Sequence, residues 1–485
     1  MNKKKIIILN PPSPDADYIN RDLMGGMGVH NTFGKKFLTK IIRKAKNTSV
    51  RLPVLQLVNC ATILYKTGLF DIKVIDSLNE NIDLQATLSE INKFQPNLII
   101  MAVSSSCLLY ERDVVAKKIK DNLNDCLIIS VGDMITERPK ELLPFFDIGI
   151  IGEVERNIVS ICNGEPLDKI DAIVYQNTGQ IKINHLNSHL EADELEKVSF
   201  PKWDLFPYEK YSYYPMLNVK PIVSILSSRG CPYDCGYCPY TKNQGLKWRA
   251  RSAENVFNEL KYDVDKYSVK GFVFRDPLFS LNQKRVEELC NLIIKNQLKI
   301  EFVIETRPEL LTEGLIDILS KAGCHAINFG VEDIHKDILN QINRKPIDLN
   351  HLKRIVNYCE ISGIRTSCFF IIGLPGSNGE TIKETIEFSR DLFPSQVEYK
   401  IATPYPGTKL HDMAKEKGWL KSENYNQFGG YTATMQISDE LTQEYLEKVV
   451  TEAFNKFYLS PKYIIRAFKR GQLLDFLKLI LKKIT

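Results

Sequence analysis

Three cysteines, Cys231, Cys235 and Cys238, stand in the run C-P-Y-D-C-G-Y-C. Separated by three and then two residues, they share a loop too short to let their side chains diverge, so three thiolates can cover one face of a small metal cluster. Thiolate sulfur holds iron-sulfur cubes or zinc. A structural zinc site takes a fourth protein ligand, usually a nearby Cys or His. The next cysteine, Cys290, lies in the helical pattern VEELCNLII and reads as a small core residue, and the nearest downstream histidine is His325. Three ligands on a 4Fe-4S cube leave one iron open to bind something else. Structural zinc, or three reduced loop cysteines, are the alternative readings.

The elements that position this loop are strands and helices in alternation. From Pro221, strand candidates occur at 222–228, 270–274, 300–305, 326–332, 364–373 and 397–403, separated by helical segments at 254–265, 281–296, 309–321, 350–360 and 380–391. Six such units predict a partial (β/α)6 barrel with its chemistry at the carboxyl end of the strands. Before it, the apolar runs 4–10, 70–76, 97–103, 126–132 and 146–152 alternate with longer mixed segments. Continuous hydrophobicity fits strands buried on both faces, hence a doubly wound α/β, Rossmann-like domain whose ligand lies beyond the strand ends. Residues 171–185 read as a hairpin appended to it. The tail from about 438 has helical spacing. The expected division is 1–195, 196–425 and 426–485, with a small helical carboxyl-terminal domain.

The cysteine loop resembles that of the radical S-adenosylmethionine (SAM) enzymes, where three cysteines at this spacing follow the first barrel strand. The resemblance implies one 4Fe-4S cluster on Cys231, Cys235 and Cys238, with SAM on the open iron, cleaved to a 5'-deoxyadenosyl radical. It implies SAM contacts from Tyr237, Asp276, Glu305, Arg307, Glu332 and Gly373, which stand beside the third cysteine or at strand ends. Packing at the barrel mouth is the alternative for Tyr237, and an ion pair with Arg307 or Arg365 is the alternative for Glu332. The turn Pro404-Tyr405-Pro406-Gly407-Thr408 matches the class pattern after the sixth strand and could shape the substrate mouth.

The first domain resembles the cobalamin-binding domain of the cobalamin-dependent radical SAM subclass. This implies corrin contacts from Pro11, Asp76, Ser104, Ser105, Ser106, Gly132, Asp133, Gly152, Glu153 and Glu155, with Met134 nearby. A doubly wound sheet alone would also suit flavin, a nucleotide or no ligand, and no G-x-G-x-x-G follows the first strand. The Asp-x-His-x-x-Gly loop that supplies a histidine to cobalt is absent. His30, His185 and His189, the histidines before the barrel, fall outside the expected strand ends, so cobalamin is expected base-off without a histidine ligand. With separate domain cores, bulky residues at Ser105 or Gly132 are expected to reduce corrin uptake and spare the cluster. Cys60, Cys107, Cys126 and Cys162 form no compact second motif, and no cysteine follows Cys368, so one cluster is expected.

The implied activity is methyl transfer, through methylcobalamin, to a substrate radical made by the 5'-deoxyadenosyl radical. Cyclisation, ring rearrangement or oxidation with the same cofactors is the alternative, and a non-catalytic corrin-binding protein is a third. A reducing partner such as flavodoxin or ferredoxin is implied.

Composition sets the limits. The 485 residues are 44% hydrophobic and 25% charged, which excludes a disordered or disulfide-stapled chain. Eleven scattered cysteines, and an amino-terminal apolar run of four residues ending at Asn10-Pro11-Pro12, point to a reducing, cytoplasmic compartment. The net charge of +5 is local: residues 34–51 and 460–485 carry seven Lys or Arg each with Asp475 as their sole acid, so no nucleic acid partner is expected. In 34–46, Phe37, Leu38, Ile41, Ile42 and Ala45 form a helical stripe among lysines. In 464–484, Ile465, Phe468, Leu473, Phe476, Leu477, Ile480 and Leu481 do likewise. Such helices can touch the inner face of a membrane and withdraw a lipid substrate, or they can pack on the barrel. A small-molecule or peptide substrate is equally compatible.

Overall fold

The apolar runs with the fewest polar interruptions become the central strands. The protein, a computed structural model, is described over residues 3–14, 19–21, 29–30, 50–104, 107–142 and 145–469. Strands β1 (Lys4–Asn10), β2 (Phe70–Asp76), β3 (Leu98–Ala102), β4 (Leu127–Val131) and β5 (Ile148–Ile150) are parallel in the order β2-β1-β3-β4-β5. Ile6 to Leu9 and Ile99 to Met101 are fully buried, because helices cover both faces. The strand order reverses between β1 and β3, which opens a crevice beyond Asn10 and Ser104.

The hairpin is part of this sheet. Strands β6 (Ile173–Asn177) and β7 (Gln180–Asn184) add antiparallel to β5, and their turn has positive φ at Thr178 and Gly179, the conformation a two-residue hairpin uses. Ile173 and Val174 bury there, which is why the segment joins the core.

Strands β8 (Ile222–Ile225), β9 (Gly271–Phe274), β10 (Glu301–Thr306), β11 (Cys324–Glu332), β12 (Arg365–Ile372) and β13 (Gln396–Ile401) pair in sequence order, all parallel, as an open barrel. The helices between them start where a side chain can take a free backbone N–H: Ser252, Asn282, Thr312, Asp348 and Asn378 each cap one. Helix 443–458 covers β13, with Phe454 5.2 Å from Tyr399 and the Tyr458 hydroxyl accepting the Val397 N–H at 3.0 Å. It thereby protects an otherwise open sheet edge. Burial of Phe454, Phe457 and Tyr458 contributes about 2 kcal/mol per ring.

Separate cores were expected, but one buried cluster runs from Ile6 and Ile8 through Trp203 and Tyr211 into Phe272, Phe302 and Phe370 of the barrel. The linker makes the join: the Trp203 indole donates to Asp263 (3.2 Å) and the Tyr211 hydroxyl to Asp76 (3.1 Å). No helix among the described residues is long and apolar enough to cross a membrane. The basic stripe at 34–46 lies outside the described residues, as do residues 470–485. Helix 461–469 buries Tyr463 and Ala467 against the barrel and leaves Ile465 and Phe468 exposed.

Candidate active site

After β8 the chain forms a short ribbon, Ser228–Arg229 antiparallel to Arg249–Ala250, and Cys231 emerges at the carboxyl edge of the barrel. Gly230 has φ +80°, and a Cβ there would lie 2.0 Å from the Lys247 carbonyl, so only glycine fits. The loop is tied at each cysteine's neighbourhood. The Cys231 N–H donates to the Gly245 carbonyl (3.1 Å), Gly236 N–H to Ile342 (2.7 Å), and Leu410 N–H to Gly236 (2.8 Å). Asn343 donates to the Asp234 carbonyl at 2.8 Å.

All three thiols are half-buried. Burial raises their pKa values, that of Cys238 to about 12, while the guanidiniums of Arg307 and Arg344 act against it at Cys231 and Cys235. Two buried cations beside three potential thiolates suit an anionic cluster. Among the described residues no three Cys, His, Asp or Glu side chains gather as a single-ion site. The thiolates of a cube each bind a different iron and need no such convergence.

The other strand ends divide into two roles. Asp276 is fully buried and spends both oxygens on Ser227 (N–H 2.8 Å, hydroxyl 2.5 Å) and Ser228 (2.6 Å), so it braces the turn before Cys231. Gly373 has φ +83° and its bare α-carbon faces Leu446 of helix 443–458, 3.1 Å from where a Cβ would stand. Glu305 pairs with Arg275. Arg307 pairs with Glu309 (2.5 Å) and lies 4.0 Å over the Tyr233 ring.

Glu332 is buried at the end of β11. The pairing of β11 with β12 shifts between Gly330 and Glu332, Glu332 takes φ +68°, and its carboxylate folds back where a Cβ on Gly330 would sit, 2.4 Å away. Strain of this kind persists where surroundings enforce it. Burial raises the Glu332 pKa, opposed by Arg344 and by the Tyr237 hydroxyl, which donates at 2.8 Å. Of the two arginines expected to pair with it, Arg307 pairs with Glu309 while its charge also opposes the rise at Glu332, and Arg365 donates to the Pro215 carbonyl at 2.7 Å. The Tyr237 ring packs beside Ile338, Leu374 and Leu410. Tyr237→Phe is expected to leave bound iron unchanged and raise KM for SAM about tenfold, the loss of one hydrogen bond to a carboxylate; steady-state kinetics with iron analysis would check it.

In the first domain, the structure reassigns several expected corrin contacts. Asp76 is buried and saturated by Asn10 (2.7 Å), Asn79 (2.9 Å) and Tyr211. The carbonyls of Pro11 and Pro12 accept from Arg21 (2.5 and 2.9 Å), which pairs with Glu111, and Glu111 accepts the Ser104 N–H at 2.7 Å. Glu153 and Glu155 face the barrel. Glu153 accepts from Arg229 (3.0 Å), Arg249 (2.9 Å) and the Leu190 N–H (2.6 Å), and Glu155 from Arg229 (2.5 Å) and Asn59 (2.7 Å). Burial works against the Glu153 charge, yet His189 and the two guanidiniums hold its carboxyl well below the usual range. His189, expected away from strand ends, lies 3.6 Å from Glu153 and beside Gly152 because the linker folds back.

Ser105 and Ser106 lie outside the described residues, and Asp133 opens the helix 133–137. Ser104, Gly132 and Gly152 follow the ends of three adjacent strands and are buried, and Leu186 and His189 lie 3.4 and 3.9 Å from where a Cβ on Gly152 would stand. Gly132 is required: at φ +137°, a Cβ would lie 2.0 Å from the Val103 carbonyl. Gly132→Val is therefore expected to cost about 3 kcal/mol in chemical denaturation. Because the core is continuous, Gly132→Val is expected to lower cluster loading together with corrin uptake.

Residues 225–389 match the Radical SAM superfamily. The cysteine loop and strands β9 to β12 lie within that match. An uncharacterised methyltransferase of Pyrococcus horikoshii is 28% identical over 82% of this chain and 86% of its own. The anaerobic magnesium-protoporphyrin IX monomethyl ester cyclase of Rubrivivax gelatinosus is 23% identical over 86% and 76%. Among solved structures, the radical SAM methyltransferase TsrM from Kitasatospora setae matches with a TM-score of 0.67 at 15% identity, over 87% of this chain and 79% of that one. The cobalamin-dependent radical SAM enzyme OxsB matches with 0.70 at 14%, over 98% and 72%. These structures share the fold, sheet domain included.

Around the radical SAM loop, sequence reading missed Arg229, Arg249 and Arg344, which are buried and pair across domains or strands. It also missed Asn328, whose amide donates to the Tyr213 hydroxyl (2.9 Å) and whose Oδ1 has no partner among the described residues. Arginine beside the cysteine motif was the available signal for the first of these.

Proposed function

We propose that this chain is a cobalamin-dependent radical SAM methyltransferase. The supporting observation is that the carboxyl edges of the two sheets open on one seam: the turn after β5 grips Arg229, two residues before Cys231, and the helix after β4 reaches the turn after β13 at Gly407. A ligand on the first sheet and one on the cysteine loop would then face a shared space, as radical formation and group transfer on one substrate require.

Cys231, Cys235 and Cys238 hold the cluster, and Arg307 and Arg344 balance its charge. Glu332, oriented by Tyr237, receives the cofactor's ammonium, whose charge offsets the cost of a buried carboxylate. Ser104, Gly132 and Gly152, at the ends of adjacent strands, would lie against the corrin; His189 is engaged by Glu153, which supports cobalamin without a histidine ligand. When bound, the cluster with SAM supplies a carbon radical that takes a substrate hydrogen atom, and cobalamin supplies a methyl group. The protein's part is to hold both across a seam closed by the Glu153 knot.

Relatives named as cyclases cover as much of the chain as those named as methyltransferases, which favours cyclisation or oxidation as the second reading. Anaerobic turnover with methyl-labelled SAM decides: label in product supports methyl transfer, and product formed without label overturns it.

A further inference from the structure

Helix 133–137, which follows β4, ends at Glu137, and this residue sits where the first domain meets the turn after the last barrel strand. A Cβ built on Gly407 would lie 1.7 Å from Glu137 Oε2, so the carboxylate occupies the place a side chain would take. Gly407 has φ +77° and belongs to the turn Pro404 to Thr408. No hydrogen bond or ion pair to Glu137 occurs among the described residues. Charged groups face it from two other elements, Lys242 of the short helix 240–244 and Asp412 of helix 409–416, and their influences oppose each other. Burial raises the carboxyl to about 7.

A second observation lies alongside. Helix 240–244, which follows Cys238, packs on helix 133–137. Its Asn243 is 4% exposed, and both Nδ2 and Oδ1 of the amide lack a partner. A buried amide is costly unless a donor or acceptor completes it, and a half-buried carboxyl is so in part. No protein group does so among the described residues, and both lie where the two cofactor-bearing edges meet.

We propose that Glu137, together with Asn243 of the helix packed on helix 133–137, is the recognition site for a polar substrate that presents an N–H or O–H donor near its reacting carbon. This deepens the reading of the seam as reaction space and rests on it. A wholly apolar lipid would bury both groups unpaired, so the site selects against such a substrate. The amide adds a donor and an acceptor, which suits an amide-bearing compound.

Two readouts test this. The first needs no turnover. The reconstituted full chain is treated with dicyclohexylcarbodiimide, which adds to protonated, desolvated carboxyls, and Glu137 is followed by peptide mass spectrometry. Labelling is expected at about pH 6 and to fall towards about pH 8 as the carboxyl ionises. The protein-free aqueous extract of the source cells should protect Glu137, and the chloroform-methanol lipid extract should not. Unreactive Glu137, no protection by the aqueous extract, or protection by the lipid extract overturns the proposal. In the second, Glu137→Gln is expected to raise KM for the aqueous substrate about tenfold, with kcat falling less. An unchanged KM overturns it as well. If the wild-type enzyme releases no 5'-deoxyadenosine under strong reductant, the functional reading fails, while the labelling pattern still decides the role of Glu137.

Discussion

Replacing any one of Cys231, Cys235 and Cys238 by alanine is expected to abolish 5'-deoxyadenosine formation. The wild-type chain, reconstituted without oxygen, should hold about four irons. Two remaining thiolates cannot hold three corners of a cube, and no nearby thiol can substitute. Cys290 is buried in helix 283–295 and Cys324 in β11, each packed as a small core residue. Cys290→Ala is therefore the matched control and should retain its iron. Eight irons per chain, or radical formation that survives the triple substitution, would sink the assignment.

The second large effect is expected at a residue distant in sequence from the cysteines. Glu153→Ala leaves Arg249, whose side chain is 2% exposed, with backbone carbonyls alone, those of Leu190 and Gln244 (both 2.6 Å) and Lys247 (3.4 Å), and deprives Arg229 of one of its two carboxylates. Leaving a buried charge uncompensated costs about 3–5 kcal/mol. Arg229 leads directly into Gly230 and Cys231, so the loss should appear as a lower urea midpoint and reduced iron loading, although no ligand has been touched. A change in stability below about 0.5 kcal/mol would contradict this account. The same knot sets a pH dependence. The Glu153 pKa is lower folded than unfolded, so its stabilisation is complete above the unfolded value of about 4.3 and is lost as pH falls through the folded value. Acid denaturation curves of wild type and Glu153→Gln should therefore converge at low pH and separate above about pH 4.

Strands and helices were largely legible because their signals are local. Ile6 to Leu9, Leu98 to Ala102 and Cys368 to Ile372 are apolar runs of strand length, and Ser252, Asn282, Thr312 and Asp348 stand where helices begin. The cysteine loop was legible for the same reason, since three ligands within eight residues fix their own neighbourhood. The acids and glycines at strand ends carried less information. Asp76, Asp276, Glu153 and Glu332 look alike in sequence, each closing or following an apolar run, and the fold gives them four different tasks. Asp76 ties the linker to the first sheet, Asp276 braces the turn before Cys231, Glu153 joins the domains, and Glu332 faces Tyr237.

What the amino-acid sequence determined by itself was therefore the list of elements, their order and the position of the thiols, all set by periodicity and short-range spacing. Partner choice was decided only in three dimensions. Whether a carboxylate at a strand end is free or spent depends on which guanidinium, hydroxyl or amide the chain brings to it from 48 to 96 residues away, as for Ser228 with Asp276 or Arg249 with Glu153. Burial makes that choice energetically decisive, because a charge removed from water must find its partner inside the protein.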